Sequence, residues 1–206
     1  MKQKPKERNQ MLKISKMSGK LEGIPAINTD TTSNPFCQKM NKSDKKDLIC
    51  VKCYSFKMLE TFRKNCVPVF QENGRILSGA VIPENELPFI NSAVFRFSAH
   101  GELINETHLV NLMNLVKRNK LTTFTLWTKR KNLVNKYCRK YGKPENVIFI
   151  YSNPYINTIA KLPEYFDKTF NNVSEDKPEI NCHSKCKDCL LCYTKNDIET
   201  IIEKVK

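Results

Sequence analysis

Three segments decide the fold class: Ala93-Val94-Phe95-Arg96-Phe97-Ser98, then Thr122-Thr123-Phe124-Thr125-Leu126-Trp127, then Val147-Ile148-Phe149-Ile150-Tyr151. Each is short and rich in β-branched and aromatic residues, so each reads as a strand. The stretches between them read as helices. Asn105 is placed to cap the first, whose apolar positions Leu109, Leu112, Met113 and Val116 recur at helical spacing. Residues 129–141 make the second, a basic helix stopped by Gly142 with Pro144 just beyond. Strands that alternate with helices in this way build βαβ units, and hence an α/β domain with a parallel sheet. The C-terminal ends of parallel strands lie on one side. Residues 98–102, 127–130 and 152–153 are therefore expected to converge on one edge of the sheet.

Outward from this core the pattern is weaker. Residues 24–28 suit a short strand leading into a cysteine-bearing loop, and residues 54–65 a helix with Phe56, Leu59 and Phe62 at helical spacing. Residues 71–91 are punctuated by Gly74, Gly79, Pro83 and Pro88 and are ambiguous. Downstream, residues 156–161 suit a short helix and residues 168–173 a weak strand. Thr194 is placed to cap a last helix, with Asp197 at a capping-box-like position and a stripe of Ile198, Ile201, Ile202 and Val205. The chain divides into a basic N-terminal segment (1–20), an α/β domain (21–175) and a C-terminal segment (176–206) holding a cysteine cluster and that helix.

At 206 residues and 40% hydrophobic content the chain can bury a core and is globular rather than disordered. No apolar run is long enough to span a bilayer. The charged start, Met1 to Arg8, is not followed by the apolar stretch of a secretory signal, so a cytoplasmic protein is expected. The net charge of +14 points to nucleic acid. Lysine outnumbers arginine, however, and no basic stripe alternates with aromatics, so weak, non-specific nucleic-acid binding is the expectation. No Ser/His/Asp triad, P-loop or dinucleotide fingerprint is present, which leaves hydrolase, NTPase and dehydrogenase readings without support.

The cysteines carry the chemistry. There are nine, and seven fall in two groups. A reducing compartment disfavours structural disulfides, so such groups read as metal or redox sites. The first group is Cys37 followed by Cys50-Val51-Lys52-Cys53-Tyr54. Cys50 and Cys53 can reach one centre from a single turn, and Cys37 supplies a third thiolate, which leaves one position open for a non-protein ligand or for Cys66. The second group is Cys182, Cys186, Cys189 and Cys192. Four thiolates within one short run can wrap a single 4Fe-4S cluster. Zinc is the alternative at each site, but four-cysteine zinc sites use two separated knuckles, whereas Cys186, Cys189 and Cys192 succeed one another without a break. His183 is a further candidate donor in a zinc site. Cys66 and Cys138 stand alone and read as small apolar residues.

The loop from Cys37 to Cys53-Tyr54 resembles the cysteine loop of the phage gene-product-88 family, and that of the related phage gene-product-37/68 radical-SAM-like proteins. The likeness continues through residues 95–103 and 126–130 and the closing 182–193 run. It implies a partial (β/α) barrel, radical-SAM-like, in a host cytoplasm. It also implies iron–sulfur clusters, one or two, and S-adenosylmethionine as small-molecule cofactor. On this likeness Cys37, Cys50 and Cys53 hold the catalytic cluster, and the four later cysteines hold an auxiliary one. His100-Gly101-Glu102 resembles the segment that binds the methionine amino group, with Glu102 taking the amine, and Arg96, Ser98, His100 and Lys129 lining the pocket. The N-terminal cysteine spacing is wider than the usual radical-SAM loop. The substrate is not identified. The alternative reading is a non-enzymatic zinc or iron–sulfur protein that binds nucleic acid or a host protein.

Overall fold

The computed structural model describes residues 12–205 of the chain. Residues 1–11, most of the basic N-terminal segment, lie outside the described residues. The chain runs β1 (Ser15–Lys16), β2 (Pro25–Ile27), α1 (Pro35–Asn41), α2 (Tyr54–Glu60), α3 (Val67–Gly79), β3 (Val94–Phe97), α4 (Glu106–Arg118), β4 (Thr123–Thr128), α5 (Lys131–Tyr141), β5 (Val147–Ile156), β6 (Lys168–Val173), α6 (Cys186–Cys189) and β7 (Thr200–Lys204). All seven strands join one sheet in sequence order. β1 pairs antiparallel with β2, and every later pair is parallel. This is the α/β architecture with a mostly parallel sheet that alternation of strands and helices predicts.

Strand alternation sends successive side chains to opposite faces, and the two faces meet different partners. Phe95, Phe97, Phe124, Leu126, Val147 and Phe149 pack with Leu77 of α3, Leu109, Leu112 and Val116 of α4, and Leu133 and Val134 of α5. The intervening residues Trp127, Ile148 and Ile150 pack instead with Ile24, Cys192, Tyr193 and Ile201. The helices thus cover one face, and the cysteine-rich connection between β6 and β7 lies against the other. Asn105 caps α4 as expected, its side chain accepting from the His108 N–H. Gly142 ends α5 at a φ of 74°, its N–H reaching the Cys138 carbonyl.

Three expectations are corrected. The C-terminal helix is instead the strand β7. Ile201 and Ile202 are β-branched and favour a strand, and β6 offers a free edge that β7 satisfies along its whole length. Side chains hold the approach extended: buried Lys168 donates from Nζ to Asn196 Oδ1 and the Ile198 carbonyl, and Asn181 clasps the Ile202 N–H and the Thr200 carbonyl. The helix at 156–161 is absent. β5 continues to Ile156 through a register shift around Pro154, and Asn153 and Asn171 take up the backbone groups of Thr158 and Ala160 that a helix would have used. The helix at 54–65 stops at Glu60, leaving Phe62 exposed, and the ambiguous stretch begins inside a second helix, α3, which runs to Gly79. Among the described residues no helix is long and apolar enough to cross a membrane.

Candidate functional site

The first cysteine group occupies the connection from β2 to β3, at the C-terminal end of the first parallel strand. Asn34 starts α1 by accepting from the N–H groups of Phe36 and Cys37, with Pro35 at the first helical position. This presents Cys37 from the first turn. Cys50 sits in a single tight turn (Ile49–Lys52), its carbonyl held by Asn41, and Cys53 opens α2. The loop is pinned across the sheet to the bulged end of β5: Leu48 bridges Tyr155, and the Ile156 N–H donates to the Asp47 carbonyl.

Beneath this loop the ends of β3, β4 and β5 converge, as the parallel reading requires. Glu102 is buried, and its carboxylate accepts from Thr128 Oγ1 at 2.6 Å, the Leu103 N–H at 2.8 Å and the Lys129 N–H at 2.8 Å. Lys129 Nζ donates to Ser152 Oγ at 2.8 Å. Burial lifts the Cys37 thiol pKa well above its usual range, and Glu102, Cys53 and Cys50 push it further in the same direction. Burial likewise raises Cys50, against the pull of Lys129. Burial works against the Lys129 ammonium, but Cys50, Glu102, Cys53 and Cys37, once ionised, outweigh it and raise the Lys129 pKa. The three thiols, one cation and one carboxylate therefore share one electrostatic environment. Glu102 is a clamp between β3 and β4 with about one lone-pair direction left over.

His100 and Gly101 hold the loops together. His100 donates its N–H to Asn28 Oδ1, and its Nδ1 meets Ser55 Oγ at 2.8 Å, which in turn meets Thr31 Oγ1. Burial, reinforced by Arg63 and Arg96, lowers the His100 pKa to about 4, so the ring is neutral. Ser98, just beyond β3, sits at a φ of 59°, a left-handed conformation that a non-glycine residue adopts at a cost of about 1–3 kcal/mol. Asn28, Thr31, Asn34, Ser55 and Thr128 are positioning residues not singled out from the sequence. Only Asn34-Pro35 carried a legible sign, the helix-start pair just ahead of Cys37.

The second cysteine group covers the other face of the sheet. Cys192 is nearly buried, Cys189 is exposed, and Cys182 and Cys186 pack partly buried against the sheet. Lys20 Nζ donates to Cys182 Sγ at 3.1 Å and pairs with Glu203 of β7. Burial raises the Cys192 thiol to about 12, with Cys182 adding to it and Arg96 opposing it. Arg96, expected in the cofactor pocket, projects onto this face and stacks on Trp127. His183 is exposed, with its ring against the Ile180 carbonyl. A separate cleft of about 380 Å³, lined by Lys131, Tyr151, Asn153, Tyr155 and Lys161, opens beside the end of β5.

Both groups are rich in soft thiolate donors, with Lys129 beside one and Lys20 beside the other as compensating cations. As placed, no three His, Cys, Asp or Glu side chains among the described residues close into a group able to hold a metal ion. The donor chemistry fits an iron–sulfur site, while the side chains do not adopt a closed ligand set. Comparison with protein-family models, with curated proteins and with solved structures returns no match.

Proposed function

We propose that the chain is an iron–sulfur protein resembling the phage radical-SAM-like families, with its first cysteine group as the reactive site. One observation carries this reading: Cys37, Cys50 and Cys53 all lie on the connection after the first parallel strand, over the edge where Glu102 and Lys129 converge. A sheet whose order never reverses supports the partial (β/α) barrel, because each strand adds beside the last without a switch point.

Three protein thiolates leave a cluster one position for a ligand such as S-adenosylmethionine, and the bound cluster would supply one electron to it. The protein's own part is electrostatic and steric. Lys129 offsets the negative charge of the thiolates and of Glu102. Glu102 fixes the backbone that carries Lys129 and keeps about one acceptor direction for an ammonium group. The loop pinned between β2 and β5 limits the access of water to the thiols. The second group, with four cysteines, suits a fully ligated cluster that ties the 174–199 connection to the sheet.

The test is anaerobic purification with iron, acid-labile sulfide and zinc analysis, followed by titration with S-adenosylmethionine. Iron and sulfide with saturable binding of the cofactor are expected. Stoichiometric zinc without sulfide would overturn the reading. The net charge of +14 favours the second reading, a non-enzymatic metal protein that engages nucleic acid.

A further inference from the structure

On the sheet face opposite the helices, Arg96 of β3 lays its guanidinium carbon 3.7 Å from the centroid of the Trp127 ring. Trp127 stands 5.6 Å from the ring of Tyr193, which the second cysteine group delivers to this face. Two polar atoms of the trio, Arg96 Nε and Tyr193 Oη, are buried without a hydrogen-bond partner among the described residues. Arg96 forms none of the ion pairs among the described residues. Leaving such groups unpaired costs about 1–3 kcal/mol each, and more for a charged one. Arginine cannot relieve that cost by losing its proton.

The geometry selects what would relieve it. A guanidinium held over an indole has one face covered by the ring and keeps the N–H donors of its edge for another partner. That edge matches a planar carboxylate or two oxygens of a phosphate. The Tyr193 hydroxyl lies beside the guanidinium and helps to hold its charge, without making a hydrogen bond of ordinary geometry, so its proton is left to donate. Arg96 as a residue is half-buried, while its Nε and the Tyr193 hydroxyl are buried. Tyr193 and Tyr54 and, more weakly, Cys186 in turn favour the charged form of Arg96.

We propose that Arg96, Tyr193 and Trp127 form a binding site for the oxyanion group, carboxylate or phosphate, of a small-molecule substrate. Arg96 and Tyr193 hold the anion and Trp127 supports the guanidinium from beneath. The proposal rests on the reactive-site reading only in calling the ligand a substrate; the anion site stands without it.

Trp127 is the only tryptophan in the chain, so its fluorescence reports on the site alone. Anaerobically purified full-length protein is titrated at constant ionic strength with inorganic phosphate, with succinate, and with chloride as control. A saturable change is expected with phosphate or succinate and not with chloride, and the stronger of the two identifies the headgroup. Arg96→Met should weaken that binding by about tenfold or more. Tyr193→Phe keeps the packing, removes only the unpaired hydroxyl, and should weaken it by a smaller factor; it carries the test if Arg96→Met fails to fold. No saturable change with either anion, or wild-type affinity in these variants, overturns the proposal. Silent anions together with an altered cluster reduction potential in Arg96→Met also overturn it, because the acceptor is then cluster sulfur. Iron and sulfide analysis of the same samples reports separately on the iron–sulfur reading.

Discussion

Gly101 is held to glycine by two independent constraints. Its φ is 83°, and an added Cβ would lie 2.1 Å from Thr29 Oγ1 and 2.6 Å from the Thr29 carbonyl oxygen. The β2 and β3 loops can approach only because nothing projects there. Gly101→Ala should cost roughly 2–5 kcal/mol in urea unfolding; a loss under about 0.5 kcal/mol would show that the loops separate at little cost. His108 is a second residue with a measurable consequence. Its Nδ1 accepts from the Ile104 N–H, and burial, with Arg130 nearby, lowers its pKa from 6.5 to about 3. A protonated ring would lose that bond and place a buried charge near Arg130. Because the folded-state value lies below the unfolded one, the unfolded chain binds the extra proton as pH falls. The stabilisation is complete above about 6.5 and is lost progressively towards about 3. Thermal melts from pH 7 to 4 should show this loss, and His108→Asn should flatten it. An unchanged slope in the variant would assign the acid sensitivity to other groups.

At the scale of elements, the two cysteine segments do different work. The β6–β7 connection buries Tyr193 and Cys192 against Trp127, Ile148 and Ile150, so it is part of the core. Tyr193→Ala should therefore cost about 3–5 kcal/mol, the range for truncating a large buried aromatic. The first cysteine loop crosses the edge of the sheet through two backbone contacts to β5, and the helix-face core does not include its cysteines. Cys53→Ser should lower the iron content and abolish binding of S-adenosylmethionine while leaving the melting temperature within a few degrees of wild type. Unfolding of Cys53→Ser alongside a mild Tyr193→Ala would reverse the assignment of roles.

For the whole molecule, the surplus of positive charge is partly internal. Lys168 is buried in the sheet, Arg96 and Lys129 are half-buried against it, and Lys20 and Lys143 are held in half-buried ion pairs. The remaining cations are the basis for expecting non-specific affinity for polyanions. Binding to duplex DNA should be weak and sequence-independent, and should fall by at least about tenfold between 50 and 200 mM salt. Tight, sequence-selective binding that persists at the higher salt would instead promote the nucleic-acid reading.

The parallel sheet and the two central helices were legible in the sequence. So was the gathering of residues 98–102, 127–130 and 152–153 on one edge, because alternating strands and helices leave a parallel sheet no other arrangement of its C-terminal ends. Local pattern was enough where burial repeats over several turns, as in α4 and α5. It failed where the deciding partner is remote in sequence. Ile198, Ile201 and Ile202 have helical spacing, yet Ile201 and Ile202 pair with β6 because that edge and the clasps of Lys168 and Asn181 exist only in the assembled chain. Glu102 was legible as a candidate for a ligand's amine, and only the tertiary structure adds its second part, the hydrogen bonds from Thr128 and Lys129 that clamp β3 to β4. Which face of the sheet each cysteine group covers, and so the meeting of Arg96 with Trp127 and Tyr193, was likewise a matter of tertiary structure: it depends on contacts between segments as far apart as Lys20 and Cys182, which no local spacing encodes.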